Sequence, residues 1–391
     1  MSDVSIRAVA IGLSLVLGAA AGGQGEAEAT RLRREIHGSF ERQDPARAAE
    51  LIDRYLERFP RDPVMLYNAA CARCRLGELD GGGRFLLAAV KAGFRDFSHM
   101  RRDPDLRPLH EHPVYRALLD ARDAADPLLS ARRLERWRER FGESRYRFET
   151  DSRTRIHYVT ALDDDRHLGM RRTLEQLDRR LSATLFLPPD PGSARHHVLV
   201  AVLAPADAAG FFDNPHARGV YRHAERELIA TGAGRTLRHE FVHAMHHSHM
   251  DAVGQEHPLW IQEGLACLYE SFEIQDDDST VVLPNERRNI AKRLDRTGRL
   301  LGLRELFASP PQRFSSHPGP LYAQARSIFE FLADEGLLET WYETYVRRFD
   351  DDPLGATALE IVFGQPLEVV EERWRAWLDS APLIVPPSPS D

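Results

Sequence analysis

Apolar residues recur with a helical period through the first part of the chain and take on a different texture beyond it. From Ala46 to Phe59, Ala49, Ile52, Tyr55 and Leu56 make one stripe behind Pro45, a residue suited to a first helical turn. The breaker Phe59-Pro60-Arg61-Asp62-Pro63 separates this run from a second, Val64 to about Leu76-Gly77. A third covers Phe85 to Ala92 and stops at Gly93, which fits a helix C-cap. An arginine-rich connecting helix is expected from Ala131 to Phe141. Beyond it, "RYRFETD" and "RIHYVTALDD" carry the alternation and the β-branched or aromatic residues of half-buried strands. A helix from Leu168 to Leu185 follows, ended by Pro188-Pro189. Then "HHVLVAVLA" reads as a continuous apolar strand and "GVYRHAERELIATG" as a hairpin or edge strand. From Arg235 the pattern is mostly helical up to the proline-rich "PLIVPPSPSD", so residues 381–391 are expected to be disordered. The pattern predicts an all-α domain over 30–128 and an α+β domain over 131–380, in which a small mixed sheet precedes the helices.

Within the all-α part, "MLYNAACARCRLGELD" followed by "GRFLLAAVKAGF" reads as one helix pair, and "DPDLRPLHEHPVYRALL" as a closing helix. The segment resembles a tetratricopeptide array. The resemblance implies stacked helix pairs with a concave face that holds a protein partner. Gly81-Gly82-Gly83 departs from the pattern, because glycine weakens the start of a helix.

A chain of 391 residues exceeds what one core usually organises, in keeping with two domains. The net charge of -8 is spread without a long block of one sign, which argues against a nucleic-acid surface. The runs Asp276-Asp277-Asp278 and Asp350-Asp351-Asp352 lack the spaced ligands of a calcium loop and read as loop tips. At the N-terminus, Arg7 precedes an apolar stretch from Ala8 to Ala21, with A-x-A cleavage points at Ala19 to Ala21 and Ala27 to Ala29. Residues 1–29 therefore read as an export signal, giving a periplasmic or secreted protein. The stretch is shorter than the roughly 20 apolar residues of a membrane span, so no stable span is expected after cleavage. Three cysteines make no disulfide framework. Cys71 and Cys74 lie in an alanine-rich helical run and read as packed helix residues.

The chemistry is concentrated in "TLRHEFVHAMHHSH", where His239-Glu240-Phe241-Val242-His243 forms H-E-x-x-H. Two histidines four apart share a helix face and can reach one metal ion, and Glu240 beside the first can take a proton from water there. A catalytic zinc (Zn2+) of this kind needs a third protein ligand and an open position. His249 gives the spacing H-E-x-x-H-x-x-x-x-x-H of metzincins, but His246 stands where that family turns on a glycine. Glu263 is the other candidate. Nineteen residues separate it from His243, enough for the helix to finish, a loop, and an antiparallel helix to return.

Trp260-Ile261-Gln262-Glu263-Gly264-Leu265-Ala266 resembles the W-x-x-E-G-x-A signature of gluzincins, zinc peptidases whose third ligand is glutamate. "LYAQARSIFEFL" (Leu321 to Leu332) resembles the Y-A-Q-[AS] segment of their peptidase MA-like group. The resemblance implies a zincin-like domain, zinc on His239, His243 and Glu263, Glu240 as general base, and a peptide or protein substrate. Tyr322, in that segment, is a candidate phenol to donate to the oxyanion, with a packed tyrosine as the alternative and Tyr221, His223 or His257 as substitutes. Gly219-Val220-Tyr221 reads equally as plain sheet or as the edge strand that aligns substrate. The chain departs from many gluzincins at Cys267, where they carry an acid four positions after the glutamate ligand. Glu270, seven positions on, returns to the same face and is a candidate to orient a ligand imidazole. The rival from another class is an exported scaffold or binding protein with a vestigial zinc site, or a structural one drawing on His246, His249 or Cys267.

Overall fold

The computed structural model describes residues 23–188, 195–208, 210–212, 217–275 and 280–385. Most of the expected export signal, Pro189, the run Asp276-Asp277-Asp278 and residues 386–391 lie outside the described residues. The chain divides into two compact units, Met1–Ala125 and Asp126–Asp391.

The first unit is helical: α1 (Gly23–Glu41), α2 (Pro45–Arg58), α3 (Pro63–Arg75), α4 (Leu79–Ala92) and, after two short turns of helix, α5 (Pro113–Ala124). Asp44 and Asp62 cap α2 and α3 by accepting main-chain N–H groups, each with proline in the first turn. Ala49, Ile52 and Tyr55 of the expected stripe are buried and Leu56 half-buried, in one cluster with Leu32 and Ile36 of α1. α4 starts well before Phe85 and runs straight through the three glycines. A Cβ on Gly82 would lie 2.8 Å from Cys74 Sγ, and one on Gly83 2.7 Å from the His112 ring. Close helix contact therefore offsets a propensity cost of about 1 kcal/mol per glycine. Ala29 is buried within α1, so of the two cleavage points the one ending at Ala29 would cut this helix.

In the second unit, α6 (Asp126–Phe141) is part of the core rather than a connector. Trp137 donates to Glu227 at 2.9 Å and stacks on Phe211. The strands β1 (Arg147–Asp151), β2 (Ile156–Thr160), β3 (Val198–Val202), β4 (Gly219–Arg222) and β5 (Glu227–Ala230) form a mixed sheet in the order β1-β2-β3-β5-β4. The central pairs are parallel and both edge pairs antiparallel. The central strands are buried on both faces, so β3 reads as an apolar run, whereas β2, expected to be half-buried, is buried throughout because α6 and the main core cover its two faces. Tyr158, Val200 and Leu228 face the main core, and Val159, Leu199 and Ile229 face α6. Between β2 and β3, α7 (Asp164–Thr184) starts four residues earlier than expected because Asp163 caps it. Residues 223–226 turn the β4–β5 hairpin. Arg226 takes the left-handed position there (φ 54°), with its guanidinium 2.7 Å from Asp126.

The helical half contains α8 (Arg235–Val253), α9 (Leu259–Leu268), α10 (Glu286–Arg296) and α11 (Pro318–Asp334), with a small hairpin, β6 (Phe272–Ile274) and β7 (Thr280–Val282), between α9 and α10. Gly254 ends α8 at φ 68°. α9 is fixed by its tryptophan: Trp260 stacks on Phe307 (4.1 Å) and Phe329 (5.3 Å). A Cβ on Gly264 would come within 2.5 Å of the Phe329 ring, so α9 and α11 lie in direct contact. Pro318-Gly319-Pro320, which reads as a turn, is instead the first turn of α11, where missing N–H groups cost nothing.

Two local expectations are corrected. Asp352 is buried and caps the helix Ala356–Phe363 by accepting from Ala356 and Ala358, so it is not a solvated loop tip. Residues 381–385 of the tail are ordered, with Ile384 bonded through both main-chain groups to Asn289. Among the described residues no helix is long and apolar enough to cross a membrane, and Cys71, Cys74 and Cys267 are free and buried. The fold is α+β, mostly helical with a small mixed sheet.

Candidate metal centre

α8 and α9 bring three side chains to one point. His239 Nε2 lies 3.1 Å from His243 Nε2, and Glu263 Oε2 lies 3.4 Å and 3.5 Å from those two nitrogens. A tetrahedral zinc with bonds of about 2.0–2.1 Å holds its ligand atoms about 3.3 Å apart, so the triangle has the size such an ion requires. Oε2 of Glu263 is buried and accepts no well-formed hydrogen bond among the described residues. Burial alone would raise the Glu263 carboxyl. The His243 and His239 imidazoles outweigh it and hold the group well below the carboxylate range.

The orientation of His239 is set from behind. Its Nδ1 lies 3.0 Å from Glu270 Oε1, a carboxylate that can only accept, so Nδ1 carries the proton and Nε2 presents its lone pair to the triangle. Glu270 is itself buried and gripped by Arg287 through two bonds (2.9 and 2.7 Å), with Arg235 at 3.3 Å. Burial would raise its carboxyl, but the His239 and Arg287 bonds hold it down. Cys267 Sγ is 3.8 Å from the same Nδ1. Cys267 stands four positions after Glu263, and the acid that meets His239 is Glu270, seven positions after it. Glu270 was legible as a candidate from its helical spacing. Its arginine clamp was not, because Arg287 lies beyond the small hairpin.

The Tyr322 phenol lies beside Glu263, and its ring runs parallel to His239 at 6.3 Å. Burial first, then the Glu263 charge, raises its pKa. Glu240 Oε2 accepts the main-chain N–H of Tyr221 at 2.9 Å, which puts the edge strand β4 against the motif helix.

The other histidines are placed elsewhere. His249 is buried between Phe186 and Tyr342 and does not join the triangle. Gln255 donates to Val346 O, so its oxygen accepts from His257 Nε2–H. His257 Nδ1 in turn accepts from His246 Nε2–H at 2.8 Å. His246 and His257 therefore serve a buried chain of bonds, and His257 is withdrawn as a substitute oxyanion donor. His247 stacks on His223 at 4.4 Å. Among the described residues, two further groups converge closely enough to hold an ion. One, His239-Cys267-Glu270, shares His239. The other, Cys71-Asp103-Asp105, has Asp103 bonded to Tyr67 (2.7 Å) and Asp105 bonded to Arg75 (2.6 Å).

No family model matches the chain, and no curated protein or solved structure matches it.

Proposed function

We propose that the second unit is a zinc-dependent metallopeptidase of gluzincin type with a zincin-like arrangement of sheet and helices. The observation that carries this reading is the triangle of His239, His243 and Glu263, sized for zinc, with Glu240 next to the first ligand. His239, His243 and Glu263 would hold the ion. A bound zinc would polarise a carbonyl and acidify a water. Glu240 takes the proton of the attacking water and later delivers it to the leaving nitrogen. The Tyr322 hydroxyl, beside Glu263, donates to the oxygen that gains charge as the carbonyl is attacked. His246 and His249 are engaged elsewhere, which favours an open fourth position over a closed structural site. The apolar N-terminal stretch supports export, and the paired helices of the first unit support a tetratricopeptide-like role in holding a protein partner.

The test combines metal content by mass spectrometry with casein hydrolysis, comparing the wild type with Glu240→Gln. The variant is expected to keep its zinc while turnover falls about 100-fold or more. Wild-type turnover in the variant would sink the assignment of the base, and a zinc-free wild type would sink the metallopeptidase.

A further inference from the structure

We propose that the main-chain N–H of Tyr221 parks Glu240 in the resting protein, and that an extended peptide pairing with β4 takes over that N–H and frees the carboxylate. The proposal rests on reading Glu240 as the base. Tyr221 N donates to Glu240 Oε2 at 2.9 Å. Among the described residues β4 is an edge strand paired only with β5, in the register Val220↔Ile229, Tyr221↔Leu228 and Arg222↔Glu227. Since the Tyr221 N–H leaves the sheet to reach Glu240, strand alternation turns Gly219 and Tyr221 to the free edge and Val220 and Arg222 toward β5.

The approach of strand to helix is made possible by a missing side chain. A Cβ on Gly219 would lie 2.6 Å from Thr236 Cγ2 and 3.1 Å from Glu240 Cγ. A larger side chain at 219 forces Thr236, the Glu240 side chain or β4 itself to shift, and so disturbs the bond from Tyr221 to Glu240. The consequence follows from the capacity of one N–H, which makes one strong, well-aligned bond. A peptide strand adding to β4 needs the Tyr221 N–H for its own carbonyl, the usual terms of strand addition. Carbonyl and carboxylate compete for it. When the carbonyl wins, the Glu240 side chain is released beside His239. Tyr221 thus acts as a positioning residue through its backbone, and substrates able to extend along β4 release the base as they bind.

Residue-resolved amide hydrogen exchange on the full chain tests this. The Tyr221 amide is expected to exchange about tenfold faster, or more, in Glu240→Ala than in the wild type. Glu240→Gln, whose amide oxygen still accepts, should retain part of the protection. Gly219→Ala should lose it as Glu240→Ala does. The Val220 and Arg222 amides, turned toward β5, should stay slow in every variant and so report an intact fold. Casein added to Glu240→Ala should restore slow exchange at Tyr221. Equal Tyr221 exchange in the wild type and Glu240→Ala would overturn the proposal. So would casein that co-elutes with the variant yet leaves Tyr221 fast. None of these readings needs turnover. Glu240-dependent protection in a chain that hydrolyses nothing would remove the peptidase reading alone, and hydrolysis without protection would remove the parking of Glu240 alone.

Discussion

Glu270 is the residue through which the candidate centre can be weakened without touching a proposed ligand. Its carboxylate does two jobs. It accepts the His239 Nδ1 proton at 3.0 Å, and it neutralises Arg287, which grips it with two bonds. Glu270→Gln keeps the shape and one acceptor oxygen but removes the charge, whereas Glu270→Ala removes both. Groups that orient a metal-bound imidazole typically contribute 10–100-fold in affinity, about 1.4–2.8 kcal/mol. Zinc dissociation constants should therefore rise toward tenfold for the glutamine variant and toward 100-fold for alanine. A separate stability cost comes from leaving Arg287 without its partner. The Arg287 side chain is 21% exposed, so water recovers part of the loss and about 1–2 kcal/mol is expected. Competition with a calibrated chelator at equilibrium gives the affinity, and urea unfolding of the metal-free chain gives the stability. Two outcomes would refute the reasoning: both variants binding zinc as the wild type does, or the glutamine variant proving weaker than alanine.

Three further outcomes are expected. Tyr322→Phe should lower casein turnover about 100-fold with zinc content unchanged, and undiminished turnover would make Tyr322 a packing residue. Gly264→Ala should destabilise the protein by about 1–3 kcal/mol, because its Cβ would meet the Phe329 ring at 2.5 Å; an unmoved thermal midpoint would show that the ring yields freely. Asp126 is pulled the usual way for a paired acid: burial would raise it, but His197 and Arg226 hold it down at about 2, against an ordinary 3.8. Its contribution, about 2 kcal/mol, is complete above the ordinary value and is lost as pH falls through the folded one. The stability gap between wild type and Asp126→Asn should thus narrow from about pH 5 to pH 2 in urea titrations. A constant gap would be incompatible with that charge effect.

The sequence was most readable where one physical rule acts alone. β3 declared itself by continuous apolar residues because both its faces are covered, while His157 and Thr160 made the equally buried β2 look half-exposed. Helical spacing put His239 and His243 on one face beside Glu240, and Glu263 was reached through the resemblance of Trp260 to Ala266 to a gluzincin signature, with room for a helix return. What stayed hidden depends on contacts between distant segments. Gly81 to Gly83 read as a weak helix start, since only the packed neighbours Cys74 and His112 show what the missing side chains allow. Pro318 read as a turn because a proline at a helix start and one in a turn look alike without the helix that follows. The bond from Tyr221 to Glu240 involves a main-chain N–H, which leaves no mark on residue identity.

The stacking of Trp260 on Phe307 and Phe329 has a bearing on how the candidate centre would take up a metal. The rings of Phe307 and Phe329 hold α9 through Trp260, one turn before Glu263, so the carboxylate is positioned by hydrophobic packing that is complete before any ion arrives. In a zinc finger, by contrast, the ion and the fold appear together, and a chelator unfolds the domain. This chain should tolerate chelation as a folded molecule, with unchanged circular dichroism. Refilling should proceed in a single fast phase whose rate rises in proportion to zinc concentration, with no slow folding step behind it. In a compartment where zinc fluctuates, an ion held at the proposed centre could be lost and regained repeatedly without the chain passing through an unfolded, protease-sensitive state.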